Sequence, residues 1–492
     1  MKKFNYNNLK LLFQSELIKN SFWGIVGTFL QTLFGSLFFI IIARKFTTVD
    51  FAHFLIATTI YQIIVAFSSM GLGQWYIREF AAISNKIDLT NKFLKIQMWL
   101  GFIFYFVAGI TSFTLYKDKQ IITLSLLLGT NIIFDNIIYA IRCMNIAELN
   151  QKKTFNILVI DGFLKLLVGC ALFVYPFSIV SICIFLIFVR FFSLNLFIRM
   201  GSSDSISIKQ LWISKISYED IKNFVFVNWK FIIIGGVSIV YWRLSNIIIS
   251  KFLTLEAVAN YEISFKIFSL FQALPFIASS SIYPMFNKLI NSNDIEGVRS
   301  LYKKIYLFFY LFSIFSYAFI YAFAPLIVKN AFGSNYIASV NCTQEMFLTI
   351  LILPTVLLQV QLITAMRLEK MDMWFNIVSL IINVGGCFIG LNFYKSLSVI
   401  NFSIFGSFLI FHICQDILLV KMKITSYKSC IIFYISLFTV IVTYRLFENK
   451  FNGYLFFIGF SSLLILISVY IILNQQKKPT LKDINTIPII NE

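Results

Sequence analysis

Residues 228–261 read NWKFIIIGGVSIVYWRLSNIIISKFLTLEAVANY. No charge falls between Phe231 and Trp242; Arg243 then interrupts, and Ile247–Ile249 resume the apolar run. On a helix, Gly236, Arg243, Asn246 and Ser250 stand at i, i+7, i+10 and i+14, which is a single face. The stretch therefore reads as a membrane-crossing helix with a narrow polar stripe and one cation part-way along it. An arginine inside a hydrophobic span costs roughly 2.5–3.5 kcal/mol on insertion scales, so it is expected to face a bundle interior or a wet cavity. The same stretch also carries a repeat. Lys251-Phe252-Leu253-Thr254-Leu255-Glu256 copies Lys45-Phe46-Thr47-Thr48-Val49-Asp50, and Ala259-Asn260-Tyr261 then matches Ala52-His53-Phe54. Each copy follows three isoleucines, Ile40–Ile42 and Ile247–Ile249. Copies so far apart point to a chain built from two related halves.

Composition agrees. The 492 residues are 59% hydrophobic and 13% charged, against about 25% charged in a soluble chain. The class this fits is an all-α, polytopic membrane helix bundle. The net charge of +19 would point to nucleic acid in a soluble protein. Here an excess of Lys and Arg in inside loops explains it, so no nucleic-acid partner is expected. Seven scattered cysteines include no CxxC, and two histidines, His53 and His412, cannot make a multi-His site. No metal or cofactor is expected. Nor is a cleavable signal peptide, since the polar start Met1–Asn20 leads straight into a full-length span.

Apolar runs of about 20 residues give about 14 spans. Six fall in a first half (21–200): 22–43, 52–74, 93–116, 121–142, 156–175 and 178–200. After the polar linker 201–222, six fall in a second half (223–420): 223–250, 258–286, 305–328, 345–366, 372–394 and 398–420. An extra C-terminal pair occupies 421–473, as spans 428–447 and 452–473, between the second half and a charged tail, 474–492. With residues 1–20 inside, the loops assigned inside carry about three times the Lys and Arg of those outside. Both termini and the linker are then cytoplasmic. Each half starts on the same side, so the repeat is parallel and a cleft between the halves is the natural substrate path.

Charges within spans are the candidate site residues. Arg243 either faces a cavity or snorkels to the outer end. Glu262 and Lys266 stand at i, i+4 and read equally as cavity groups or as a self-neutralising pair; Asp161 and Lys165 repeat the pattern. Asn131, Asp135, Tyr139 and Arg142 form a polar stripe on the fourth span, which makes Asp135 a helix contact or part of a cavity wall. Arg190 sits mid-span with no partner on its own helix. His412 and Asp416, also i, i+4, read as an ordinary bonded pair or a proton relay.

Several segments resemble a known family. Tyr241-Trp242-Arg243-Leu244-Ser245, Ile247–Ile249 and Val258–Tyr261 resemble the seventh-span signature of bacterial polysaccharide-transport proteins. Ser281-Ile282-Tyr283-Pro284, Asn293–Glu296 with Tyr302–Lys304, Pro325-Leu326-Ile327, Phe332–Tyr336 with Ala338, and Asn383 follow in that family's order. Phe46–Phe54 and Gly71-Leu72-Gly73 to Arg78-Glu79 resemble its opening spans. Ser245 stands where many relatives carry an acid. The chain is thus similar to the Wzx-type O-antigen and capsule flippases of the multidrug/oligosaccharidyl-lipid/polysaccharide exporter superfamily. The resemblance implies a non-enzymatic transporter of the bacterial inner membrane, moving a polyprenyl-pyrophosphate-linked oligosaccharide between leaflets. Its tail would stay in membrane lipid, and a glycan polymerase would be an associated partner. The cavity candidates on this reading are Arg243, Arg190, Lys266, Glu262, Lys165, Asp161 and Asp135. Two alternatives stay open: a drug or cation antiporter, in which the acids would be essential, and a membrane-embedded glycan-processing enzyme, for which no catalytic His/Asp or carboxylate spacing is present.

Overall fold

A computed structural model describes residues 16–82, 86–201, 239–447 and 453–476. Every extended element among them is helical, as a chain in hydrocarbon requires: a helix satisfies its backbone N–H and C=O groups internally. Eleven helical segments among the described residues are long and apolar enough to cross a membrane, two of them (Lys119–Ala147 and Ser339–Ala365) made of consecutive shorter helices. Of the remaining expected spans, 22–43 lies in helix Glu16–Lys45, and residues 453–473 of span 452–473 lie in helix Gly453–Gln476. Span 223–250 is described only over residues 239–250, which are helical. The linker 201–222, including Ser203, lies almost wholly outside the described residues, as do Lys230, Gly236 and the Arg78 side chain.

The chain divides into two compact units, residues 1–262 and 263–492. The first contains α1 (Glu16–Lys45), α2 (Thr48–Ser68), α3 (Leu72–Ala82), α4 (Lys86–Leu115), α5 (Lys119–Gly129), α6 (Asn131–Ala147), α7 (Gln151–Ala171), α8 (Ile179–Met200) and α9 (239–252). Starts are set by polar caps: Thr47 on α2, Asp118 on α5 and Ser178 on α8 accept from free N–H groups of the first turn. The expected span 52–74 stops at Ser68, because Met70 and Gly71 take positive φ (48° and 64°) and turn the chain into α3. Small residues let helices close up. A Cβ on Gly162 would meet Phe34 at 3.0 Å, one on Gly169 would meet Phe38 at 3.0 Å, and one on Gly101 would meet the Ile133 backbone at 2.9 Å. These contacts bring α7 onto α1 and α4 onto α6. The repeated motif does local work. Gln120 bonds both Asp50 (2.9 Å) and His53 (3.0 Å), tying the start of α2 to α5. In the second copy Lys251 donates to the Leu115 carbonyl and lies 3.9 Å above the Tyr116 ring. Desolvation there lowers the pKa of the Lys251 ammonium.

The second unit takes most of α10 (Leu255–Asn291), then α11 (Ile295–Ala331), α12 (Ser339–Met346), α13 (Leu353–Ala365), α14 (Glu369–Phe393), α15 (Leu397–Lys421), α16 (Tyr427–Phe447) and α17 (Gly453–Gln476). Helices α10 and α11 have 37 residues each, about 55 Å at 1.5 Å per residue, well beyond a hydrocarbon core of about 30 Å. They meet in a polar turn where Asn293 takes φ 54° and Asp294 caps α11 through the Gly297 N–H (2.7 Å). Arg299 Nε then donates to the Lys423 carbonyl at 2.8 Å. The expected span 345–366 is not one helix. It breaks between Met346 and Leu353 around a 3₁₀ turn at Thr349–Leu351. Pro354, in the first turn of α13, has no N–H to continue an α ladder. The extra pair α16 and α17 rests on α11 through aromatic contacts, Tyr444 with Tyr317, and Phe457 with Phe315 and Phe319.

Candidate functional site

The polar stripe of α6 faces α7 and α8 inside the first unit. Arg190, on α8, donates through Nε and Nη2 to Asp135 Oδ1 on α6, and through Nη1 to Asp161 Oδ1 on α7 at 3.2 Å. Its lack of a partner on its own helix is thus made good by two carboxylates from neighbouring helices. Tyr61 of α2 donates to the other Asp135 oxygen. Asp161 is completely buried and also accepts from Lys165 (2.7 Å), Ser193 (2.7 Å) and Gln31 (3.4 Å). The Asp161–Lys165 pair expected from spacing is therefore real, but it is one edge of a larger network. Lys165 keeps 27% of its side chain exposed and Arg190 15%, so the cations face whatever space adjoins the cluster while the acids sit behind them.

Arg142 is the member that spacing placed on the stripe but that was not among the candidates. It lies two turns along α6 from Asp135, within electrostatic range of Asp135 and Arg190, and is partly exposed. No hydrogen bond or ion pair to a described residue holds it. With the usual ionisation, two carboxylates face three cations (Lys165, Arg190 and Arg142), which leaves the cluster one positive charge in surplus. Tyr61, Gln31 and Ser193 were also missed. Tyr61 and Gln31 are uncharged residues on distant helices that no local spacing marks, whereas Ser193 stands three residues from Arg190 on α8, a spacing that could have placed it on the same face.

A second cluster gathers Arg243 and Asn246 of α9, Glu262 of α10 and Thr59 of α2. Arg243 Nη1 donates to Glu262 Oε1 at 2.8 Å. Asn246 donates to the same oxygen and, at 2.9 Å, to Thr59. Position 245 carries a serine, and the carboxylate beside Arg243 comes from Glu262 on the next helix. Lys266 stands one turn beyond Glu262 and is half-buried. The structure thus brings Asp135, Asp161, Lys165 and Arg190 into one network and Arg243 with Glu262 into another.

Among the described residues no group of three or more His, Cys, Asp or Glu side chains is arranged to hold a metal. The chemistry available is that of fixed charges and hydrogen bonds, suited to holding an ionic or polar solute. The sequence profile of polysaccharide biosynthesis proteins matches residues 41–341, more than half of the chain. The chain belongs to that family. This polysaccharide biosynthesis protein matches no curated sequence. Its fold is shared with solved transporters. The lipid II flippase MurJ, in an inward closed conformation, superposes with a TM-score of 0.69 at 13% identity, covering 92% of this chain and 99% of that one. An inward-facing multidrug resistance MATE family transporter of the MOP superfamily gives 0.66 at 13% identity, covering 80% and 94%. A MOP superfamily transporter from Pyrococcus furiosus gives 0.57 at 13%, covering 83% and 95%. The chain is thus a multi-pass membrane protein that shares the fold of these solved transporters.

Proposed function

We propose that the protein moves a polyprenyl-pyrophosphate-linked oligosaccharide repeat unit from the inner to the outer leaflet of the bacterial inner membrane, by alternating access of its two halves. Membership of a polysaccharide biosynthesis family supports the glycan, and the neighbour described as a lipid II flippase supports a lipid as the transported class. One observation carries the choice of an anionic substrate: the surplus cation at Arg142, beside a network whose other charges are already matched. A pyrophosphate cannot enter hydrocarbon unaided, and a guanidinium offsets its desolvation with forked, permanently charged donors. Lys165 and Arg190 extend the same field. Sugars then take hydroxyl and amide partners, while the polyprenyl tail stays in lipid. Both termini are cytoplasmic on this reading, and a glycan polymerase is the partner that would use the exported unit.

Complementation of a flippase-null strain, scored by surface glycan with membrane levels measured in parallel, tests the reading. Arg142→Ala is expected to lose most export at normal membrane level, and Arg142→Lys to keep part of it. Wild-type glycan from Arg142→Ala would remove the surplus-cation argument. Conversely, if Asp135→Asn abolishes transport while Arg142→Ala is silent, the substrate is a cation.

A further inference from the structure

Both copies of the repeated Lys-Phe-x-Thr motif reach the same place in the fold, the turn 115–120 between α4 and α5. The first copy grips it from the start of α2. Gln120 donates to Asp50 Oδ1 at 2.9 Å, its Oε1 lies 3.0 Å from His53 Nδ1, and Asp118 Oδ2 stands 3.7 Å from His53 Nε2. Asp118 is itself fixed as the cap of α5, accepting from the Gln120 and Ile121 N–H groups at 2.8 and 3.1 Å. The second copy grips the turn from the end of α9. Lys251 donates to the Leu115 carbonyl and lies 3.9 Å above the Tyr116 ring, and the Ser250 and Tyr116 hydroxyls are 2.6 Å apart.

The two grips differ in what parting them would cost. His53 is 5% exposed, so pulling it from Gln120 strands a buried polar ring. Lys251 is exposed, and its ammonium can trade a carbonyl and a ring face for water at little cost. The first grip is built in, whereas the second is exchangeable.

Chain order sharpens the contrast. The first copy joins helices of one half. By the repeat, α9 opens the second half, yet it lies within the first compact unit, residues 1–262. The bonds of the second copy are therefore bonds between the halves. Asn246, one turn before Ser250 on the same polar stripe, adds another by donating to Thr59 of α2 at 2.9 Å. The stripe that the sequence marks on α9 is thus, at this end, a seam closed on α2 and α4.

We infer that the turn 115–120 is a shared keeper for the two copies: the first copy is fixed to it, and the second is a latch that lets go when α9 parts from α4. Tyr116, Ser250 and Lys251 are then positioning residues, which set how long the first helix of the second half stays with the first half. That this seam lies on the outer side rests on the topology proposed above; the latch itself does not. The test uses full-length protein in lipid nanodiscs, with the seven native cysteines replaced. One pair of spin labels, at Lys117→Cys and Glu256→Cys, spans the second grip; another, at Lys117→Cys and Val49→Cys, spans the first. Lys251→Gln with Tyr116→Phe is expected to raise the share of long distances in the first pair by about two- to fivefold, as the loss of a weak exposed contact should. The second pair should not change, and Lys251→Arg, which keeps the charge over the ring, should keep the unaltered distribution. Distances across the second grip that do not respond to the double change overturn the latch. Equal widening of both pairs overturns the division into a fixed and a releasable copy. Neither distance needs a substrate, so a failed export assay and a failed latch are separate results.

Discussion

Asp161 accepts from four donors on three helices (Gln31, Lys165, Arg190 and Ser193), and its side chain has no exposed surface. An isolated i, i+4 pair would predict that neutralising both partners, Asp161→Asn with Lys165→Met, restores stability lost in either single change. The network predicts otherwise. Asp161→Asn also strips one of the two carboxylates that Arg190 binds, so the double variant should stay less stable than Lys165→Met alone. Breaking a buried charge pair on one side costs about 3–5 kcal/mol, a loss readable in the thermal unfolding of purified protein. Equal stability of the double variant and Lys165→Met would return Asp161 to a simple local pair. This is also where sequence reading stopped. Spacing along one helix shows Asp161 with Lys165, and Asp135 on a stripe with Arg142. That Arg190 reaches both acids, and that Arg142 finds no partner among the described residues, depends on residues 29 to 55 positions apart in the chain, which periodicity does not relate.

Helices were legible where apolar runs were bounded by caps, turns or proline. Helix α15 starts at Leu397 behind its Ser396 cap, one residue before the expected span at 398, whereas α11 starts at Ile295 behind Asp294, ten residues before the expected 305, because its charged first turns lie outside the apolar run. The break before α13 was harder, because Pro354 alone does not say whether a helix kinks or restarts. Close approach of helices was not legible at all, since a glycine in a span looks the same whether it meets a backbone or open space. Gly101 and Gly385 make that contrast testable. At Gly101 a methyl group meets the Ile133 backbone at 2.9 Å, so α4 and α6 must separate. Gly101→Ala should destabilise by about 1–3 kcal/mol, the usual cost of overpacking. Gly385, on α14, has nothing within 4 Å of the added atom. Gly385→Ala should be neutral or stabilise by up to about 1 kcal/mol through helix propensity. Thermal unfolding of the two variants in detergent reads the difference, and a Gly101→Ala protein as stable as wild type would show that the contact is slack.

At the scale of the whole molecule, the Lys and Arg bias over the loops predicts a cytoplasmic linker. A cysteine placed by Ser203→Cys in a cysteine-free background should react only with membrane-permeant reagents, and ready labelling from outside intact spheroplasts would reverse the topology. On the same side the bias also places the turn between α10 and α11, with Lys288, Arg299, Lys303 and Lys304 around it. On that side α10 runs on past its expected span through residues 287–291 and α11 begins early with residues 295–304, projections of about 8 and 15 Å at 1.5 Å per residue. A bundle wrapped in a detergent or lipid belt offers electron microscopy few features to align on, and such a paired stem is a ready-made mast. A small rigid protein spliced between Ser292 and Asn293 with its terminal helices continuing α10 and α11 would stand clear of the belt in a fixed orientation. Arg299, gripping the Lys423 carbonyl within two turns of the splice point, would hold the pair against the neighbouring turn and let particle images be aligned on it.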